Sequence, residues 1–285
     1  MLPKDRNESQ TSNLKCIYIN ARSIINKLDE LQATVAVLNP DIVGITESWA
    51  HDNILDGELS LPGFDLFRCD RTSTKGGGVL LYVLSELRPT AFNPHTKFPE
   101  QIWCELYANT AYSIKIGILY KTMSKLLYDD NIDDLIQALM QEMSSQHFVL
   151  MGDFNYPDID WDQHQCSSSA SKETKKFLDV IDDSFVTQHV TFPTRMNATL
   201  DLVISDEENT VFDVGPLGSF STSDHDWISF QLCSKSPTGN TMSSYRNRDY
   251  NKADTVAIEK ELSGVDWDLG TVICNAINRR CVGNL

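Results

Sequence analysis

The chain has 285 residues, 41% hydrophobic and 22% charged, values of a folded protein that exclude disorder throughout, collagen and coiled coil. Its 24 Lys and Arg against 40 Asp and Glu give −16; only 7 of those basic and 6 of those acidic groups lie in the last 51 residues, which leaves −17 on residues 1–234. A clamp that holds DNA through a basic surface does not carry such a charge, whereas a divalent-metal site tolerates it. The length suits one large domain, or one domain with a tail.

In chain order, Met1 to Asn13 is polar and has no apolar run that could act as a signal peptide. Leu14–Ile19 reads as a short buried strand. Ile24, Leu28, Leu31, Val35 and Leu38 then recur at four, three, four and three, one face of an amphipathic helix that Asn39-Pro40 ends. Asp41–Thr46 and Gly77–Val83 read as strands, the latter entered by a glycine run, and Ile102–Tyr107 and Ser113–Leu119 alternate like half-buried strands. A second helix is marked by Ile132, Leu135, Ile136, Leu139 and Met143, followed by a strand at His147–Met151. Phe177, Leu178 and Ile181 suggest a third helix, and Leu200–Ile204 and Asp226–Leu232 the last strands. Strands alternating with helices, with hairpin-like neighbours among them, imply sheets covered by helices on their outer faces. Ser234 to Ser244 turns to Ser, Thr, Gly and Pro, a linker composition, and a weakly periodic segment around Trp267 follows.

The seven cysteines are odd in number and form no CxxC pair, and no window approaches the roughly 20 apolar residues of a membrane span. Reduced thiols and a nuclear or cytoplasmic, non-secreted protein are expected.

Four segments lie at strand ends, where α/β proteins place function: Asn20-Ala21-Arg22-Ser23, Thr46-Glu47-Ser48-Trp49, Gly152-Asp153-Phe154-Asn155 and Ser223-Asp224-His225-Asp226. The last precedes its strand, so it reaches the same rim if that strand runs antiparallel. Each has a plain reading: Glu47 a solvated loop carboxylate, Asp153 an Asx turn, Ser223-Asp224 a turn cap, Asn20 and Ser23 helix caps. Together they supply what phosphodiester hydrolysis needs: oxygen ligands for Mg²⁺, a base for water and donors for the transition-state charge.

These segments, with Leu200-Asp201-Leu202 between the third and fourth, resemble in order the endonuclease/exonuclease/phosphatase superfamily, the DNase I-like fold. Cys69-Asp70-Arg71 with Gly76-Gly77-Gly78-Val79, Leu119-Tyr120-Lys121 and Thr191-Phe192-Pro193-Thr194-Arg195 resemble the endonuclease domains of Jockey-type non-LTR retrotransposons. The resemblance covers about residues 13–232. It implies an α/β (α+β) four-layer sandwich, two mixed β-sheets packed face to face with helices outside. It also implies a flexible segment 1–13, a catalytic domain at 14–232, and a partly helical tail at 233–285 like the connector to an absent reverse transcriptase. By this likeness Glu47 is the principal Mg²⁺ ligand (Mn²⁺ an alternative), with Asp224 and Asp153 at the metal. Asn20 and Asn155 bind the scissile phosphate, Asp153 orients or deprotonates water, and Asp201 holds His225 on the phosphate. Tyr120 and Ser223 place hydroxyls there. Arg22, Arg71, Lys75, Lys121, Thr191 and Arg195 are candidate DNA contacts, with Lys121 standing where relatives of this branch carry an arginine fork.

The implied function is a monomeric Mg²⁺-dependent endonuclease that nicks DNA to leave a 3′-hydroxyl, joined to element RNA or a reverse transcriptase if part of a longer product, with no membrane partner. Two alternatives stand beside it: a phosphodiesterase or phosphatase of the same superfamily, and an inactive or domesticated binding domain. Asp158, Asp160 and Asp162 mimic a calcium loop, but Gln163 at the sixth position and Ser169 at the twelfth reject an EF-hand.

Overall fold

The computed structural model describes residues 13–72, 74–109, 112–122 and 132–233; the expected N-terminal segment, linker and tail lie outside them. In chain order, Leu14–Asn20 is β1, Leu28–Leu38 α1, Ile42–Thr46 β2, Asp56–Leu59 α2, Phe64–Cys69 β3, Val79–Leu84 β4 and Thr90–Phe92 β5. Gln101–Asn109 is β6, Tyr112–Tyr120 β7, Ile132–Met143 α3, Phe148–Asp153 β8, Ile159–Asp160 β9 and Gln165–Cys166 β10. Lys172–Asp183 is α4, Thr187–Gln188 β11, Asp201–Ser205 β12, Val211–Ser219 β13 and Asp226–Leu232 β14.

Ten of the strands join β13 and β11 at the edges of two six-stranded sheets, ordered β13-β14-β1-β2-β4-β3 and β11-β12-β8-β7-β6-β5. Each sheet is mixed, with one parallel pair, β1–β2 and β7–β8, among antiparallel ones. A parallel pair needs a crossover, and α1 and α3 supply them. Within β8, Val149 and Met151 face the other sheet, while Phe148 and Leu150 pack with Met140 of α3 and Phe177 of α4. Within β1, Cys16 and Tyr18 lie between the sheets, and Ile17 and Ile19 pack with Leu31 of α1. Both faces of the central strands are covered, so they read as unbroken apolar runs. The result is the expected four-layer sandwich.

The sheets approach so closely that a Cβ on Gly44 of β2 would lie 2.5 Å from Met151 Sδ of β8. Among the described residues no helix is long and apolar enough to cross a membrane, and the five cysteines there are free.

The structure departs from the sequence reading at several elements, among them β3, which was not expected, and three whose cause is visible in the backbone. The first helix starts at Leu28 rather than Ile24: Arg22 and Ser23 are left-handed (φ 44° and 83°), and Ser23 N and Ile24 N donate to the carbonyls of Glu47 and Ser48. Ile24 is still buried against that layer, so its side chain keeps a helical spacing that its backbone does not. β4 starts at Val79 because Gly76, Gly77 and Gly78 all have positive φ. β13 left no alternating pattern, since it is an edge strand with Gly215, Pro216 and Gly218 at its register shifts.

Gly44→Val should lower stability by about 1–3 kcal/mol, because the layer cannot open for the added side chain; urea unfolding measures it. His189 offers a pH check. Burial pushes its imidazole down to about 4, below the unfolded value, so the neutral ring favours the fold. That contribution is complete above about 6.5 and lost as pH falls toward about 4. NMR titration of His189, and an acid unfolding limb softened in His189→Gln, check it.

Candidate active site

The strand registers bring the site together. Asn20 ends β1 opposite Thr46 at the end of β2. Tyr120 ends β7 opposite Asp153 at the end of β8, and Asp201 begins β12 opposite Asp153 on its other side. β14 runs antiparallel to β1, so His225 just before it reaches the same rim. The condition set by the sequence for the Ser-Asp-His segment is therefore met.

Asn20 joins the two sheets. Its Nδ2 donates to Asp153 Oδ2 at 2.9 Å and to Glu47 Oε1 at 3.3 Å. Asp153 Oδ1 accepts from the Asn155 N–H at 3.1 Å, and Asn155 Nδ2 donates to the Lys121 carbonyl at 2.7 Å. Asp201 Oδ2 takes His225 Nδ1 at 2.6 Å, and its Oδ1 accepts from Tyr18 O–H at 2.8 Å. Tyr18 spends its only proton there, so at 2.7 Å the Thr46 hydroxyl donates to it. Ser223 Oγ donates to the Asn20 carbonyl and accepts from the His225 N–H. It therefore fixes backbone rather than offering its proton elsewhere.

Glu47 sits on a loop with positive φ at itself (49°) and at Trp49 (56°), unfavourable for residues with a Cβ. Tyr120 O–H donates to its Oε1 at 3.2 Å and the Trp49 indole to its Oε2 at 3.2 Å. Asn155 is also left-handed (φ 54°). Strain gathers where carboxylate and carboxamide must be aimed off the strand ends.

The other candidates divide. Asp224 is exposed and gripped from two sides, by Arg22 Nη1 at 2.7 Å and Arg195 Nε at 2.7 Å. Those two cations are thus at the rim but engaged by the acid beside them. Lys75 is exposed and stacks its ammonium 5.3 Å from the Trp49 ring centroid. Thr191 is exposed and lines a cavity of about 610 Å³ with Asp158, Trp161 and Asp162, while a cleft of about 450 Å³ runs past Asn155, Arg195 and Met196. Arg71 and Lys121 were expected on the rim and are instead buried. Arg71 pairs with Glu100, and Lys121 Nζ lies 4.1 Å from the centroid of the Tyr156 ring and 3.9 Å from Asp133. The physical reason is a buried carboxylate in each case, which needs a cation. Tyr18, Thr46, Trp49 and Glu100 were not singled out by sequence reasoning. Only Trp49 and Thr46 lay in a motif; Tyr18 looks like one more strand aromatic until its hydroxyl is placed.

The charge is unbalanced. Burial first, then Asp201, push the Asp153 carboxyl well above the usual carboxylate range. Burial alone would lower His225, but the bond and charge of Asp201 outweigh it and raise the imidazole. For Asp224, partial burial raises the carboxyl, and the bonds from Arg22 and Arg195 outweigh it and hold it low. Ligand atoms of Asp153, Asp201 and His225 lie within 4.8 Å of one another, with Glu47 one Asn20 amide away. A buried and a half-buried carboxylate bridged by a neutral amide, with a second buried carboxylate beside them, fit a divalent cation, whose charge would offset their repulsion.

Asp201→Asn should lower the His225 pKa and release its tautomer, read by NMR of the ring. The sign follows from the raised folded value: the Asp201–His225 contribution is complete below about 6.5 and lost as pH rises through the folded pKa. The variant should lack that alkaline loss.

Comparison with known proteins agrees with the geometry. The model of the Endonuclease/Exonuclease/phosphatase family matches residues 12–225. A search of curated proteins returns no match. Among solved structures, the endonuclease domain of TRAS1, a telomere-specific non-LTR retrotransposon, superposes with TM-score 0.59 at 14% identity, covering 79% of this chain and all of that one. The AP endonuclease LMAP from Leishmania major gives 0.63 at 14% identity over 78% of this chain and 88% of that chain. The 3′ phosphatase NExo from Neisseria, bound to product DNA hairpin, gives 0.59 at 17% identity over 77% of this chain and 99% of that one. These likenesses share the fold, and the family match spans the carboxylate network itself. The chain belongs to the endonuclease/exonuclease/phosphatase family, the DNase I-like fold.

Proposed function

We propose that this protein is a Mg²⁺-dependent endonuclease that nicks one strand of DNA and leaves a 3′-hydroxyl, the retrotransposon type of the family. One observation carries the reading: a single amide, Asn20, ties Glu47 of one sheet to Asp153 of the other, beside a buried Asp201–His225 pair. In this reading residues 14–232 are the catalytic domain and 233–285 a connector. Where the chain is part of a longer product, a reverse transcriptase and element RNA are its partners.

Glu47, Asp153 and Asp224 would hold the metal, with Mn²⁺ able to replace Mg²⁺. When bound, the cation neutralises phosphate charge and activates oxygen for attack. The chain's own groups do the rest. Asp153, with its proton affinity raised by burial and by Asp201, accepts the proton of the attacking water. His225, held through Nδ1 by Asp201, presents its other nitrogen as a cationic donor to a phosphate oxygen. The Asn20 and Asn155 amides orient the phosphate. Burial first, then Glu47 and Asp153, push the Tyr120 phenol up, so it stays a donor. Arg22 and Arg195 exchange Asp224 for DNA phosphates; these partly exposed pairs are worth only about 0–1 kcal/mol, so the exchange is cheap.

The test is nicking of supercoiled plasmid with Mg²⁺ or EDTA, run beside release of phosphate or headgroup from phosphoinositides and sphingomyelin. Nicking should need Mg²⁺ and low ionic strength, because the few partly exposed cations that would meet the phosphates, Arg22 and Arg195, are screened by salt. Glu47→Gln should cut nicking by more than about 100-fold with the fold intact, since it removes a ligand charge and little volume. Arg195→Ala should weaken DNA binding and leave Mn²⁺ affinity unchanged or higher. Nicking that persists in EDTA or in Glu47→Gln overturns the metal-centred reading; lipid hydrolysis without nicking transfers the site to a phosphodiesterase.

A further inference from the structure

Arg71, Glu100 and the glycine run carry no role in the mechanism above, yet they form a buried ionic knot directly behind it. Glu100 is 2% exposed and the Arg71 side chain 7%. Arg71 donates from Nε at 3.1 Å and from Nη2 at 2.5 Å to Glu100 Oε2, and Glu100 Oε1 accepts from the Gly78 N–H at 2.5 Å. A buried ion pair is a costly way to gain stability, and an apolar pair of the same volume commonly serves as well. Its presence asks for another reason.

The reason lies in what the knot holds. The Gly77 and Gly78 carbonyls accept from the N–H groups of Trp49 (2.9 Å) and Ser48 (3.2 Å), the two residues after Glu47. The Arg71 guanidinium carbon lies 5.5 Å from the Tyr120 ring centroid, and the Tyr120 N–H donates to the Glu100 carbonyl at 3.0 Å. Tyr120 in turn donates its hydroxyl to Glu47. Glu47 is therefore gripped from two directions, through the loop backbone and through the phenol, and both routes start at Glu100. No side chain fits in the first route. Gly77 has φ +68° and a Cβ there would overlap the Arg71–Glu100 pair; Gly78 has φ +81° and its Cβ would lie 2.6 Å from Ser48 Oγ. Left-handed backbone at Glu47 and Trp49 relaxes when nothing holds it.

We propose that Arg71 and Glu100 are positioning residues: their buried ion pair, acting through Gly77-Gly78 and Tyr120, sets the direction of the Glu47 carboxylate and hence the metal affinity of the site. The metal clause rests on Glu47 being a ligand as proposed above; the clause on carboxylate direction does not. The placement of the donors, two from Arg71 on Oε2 and the Gly78 N–H on Oε1, matters more than charge. In Glu100→Gln the amide turns an NH₂ toward either Arg71 or the Gly78 N–H, so one acceptor is lost. In Arg71→Lys the cation stays but the fork is gone.

The experiment uses the full chain, ¹⁵N-labelled, with three readouts: the Trp49 indole N–H resonance, which reports its bond to Glu47; Mn²⁺ binding by calorimetry; and plasmid nicking. Leu139→Ala, a deletion in the helix layer behind the second sheet, is the control for plain loss of stability. Glu100→Gln should move the Trp49 resonance, weaken Mn²⁺ about 10–100-fold, and lower kcat by a similar factor with KM for DNA little changed. Arg71→Lys should do the same in milder form, and it carries the test alone if Glu100→Gln does not fold. Leu139→Ala should lower Tm and leave the resonance and Mn²⁺ affinity at wild-type values. Folded Glu100→Gln or Arg71→Lys with a wild-type Trp49 resonance overturns the proposal, as does Leu139→Ala that reproduces their effects. A wild-type protein that binds no Mn²⁺, in variants of which the resonance still moves, refutes the metal reading and supports the positioning.

Discussion

Asp153 and Asp201 face one another across neighbouring strands, both buried, and the site is arranged around that repulsion. Two carboxylates in a low-dielectric interior cannot both keep full charge without compensation. The protein supplies it in unequal parts. Asp201 receives a histidine and a tyrosine hydroxyl, while Asp153 receives an amide and a backbone N–H and feels the His225 imidazole without a hydrogen bond to it. The two acids are thereby made different. One is a fixed partner of His225 and the other a carboxyl whose proton affinity is raised, which is the asymmetry acid–base chemistry requires.

That arrangement depends on the depth of the sheet sandwich. Tyr18 reaches Asp201 from the opposite sheet because its ring lies in the layer between them, and Asn20 reaches Asp153 from the same strand. The close approach at Gly44 and Met151 keeps the layers near enough for these spans. Stability and site geometry are one constraint here, since a core that opened by an ångström would lengthen hydrogen bonds of 2.6 to 2.9 Å beyond use.

Among the described residues, most of the cations expected to meet a polyanionic substrate are already engaged by carboxylates. Arg22 and Arg195 share Asp224, Arg71 serves Glu100, and Lys121 lies between Tyr156 and Asp133. Of the six candidate DNA contacts only Lys75 and Thr191 combine exposure with no ion pair among the described contacts. Charge at the cleft is thus conditional on exchanging partners, which suits weak engagement with a small salt slope rather than a standing basic surface.

What the sequence by itself determined was local. Unbroken apolar runs at β1, β2 and β8 marked strands covered on both faces, the 3–4 spacing marked three helices, and each chemical motif stood at a strand end in a recognisable order. Those signals are carried by near neighbours in the chain, so they survive without a fold. It was the tertiary structure that decided partners. Whether Arg71 and Lys121 look outward or inward depends on Glu100 and Asp133, carboxylates distant in sequence. The work of Tyr18 depends on a residue 183 positions away. The late start of α1 was hidden for the same reason, since backbone bonds to a remote loop overrode the local pattern, whereas edge strand β13 was hidden by its own glycines, proline and register shifts. Composition shows that a charge exists, but its neutralisation is a long-range electrostatic problem solved only when the chain is packed.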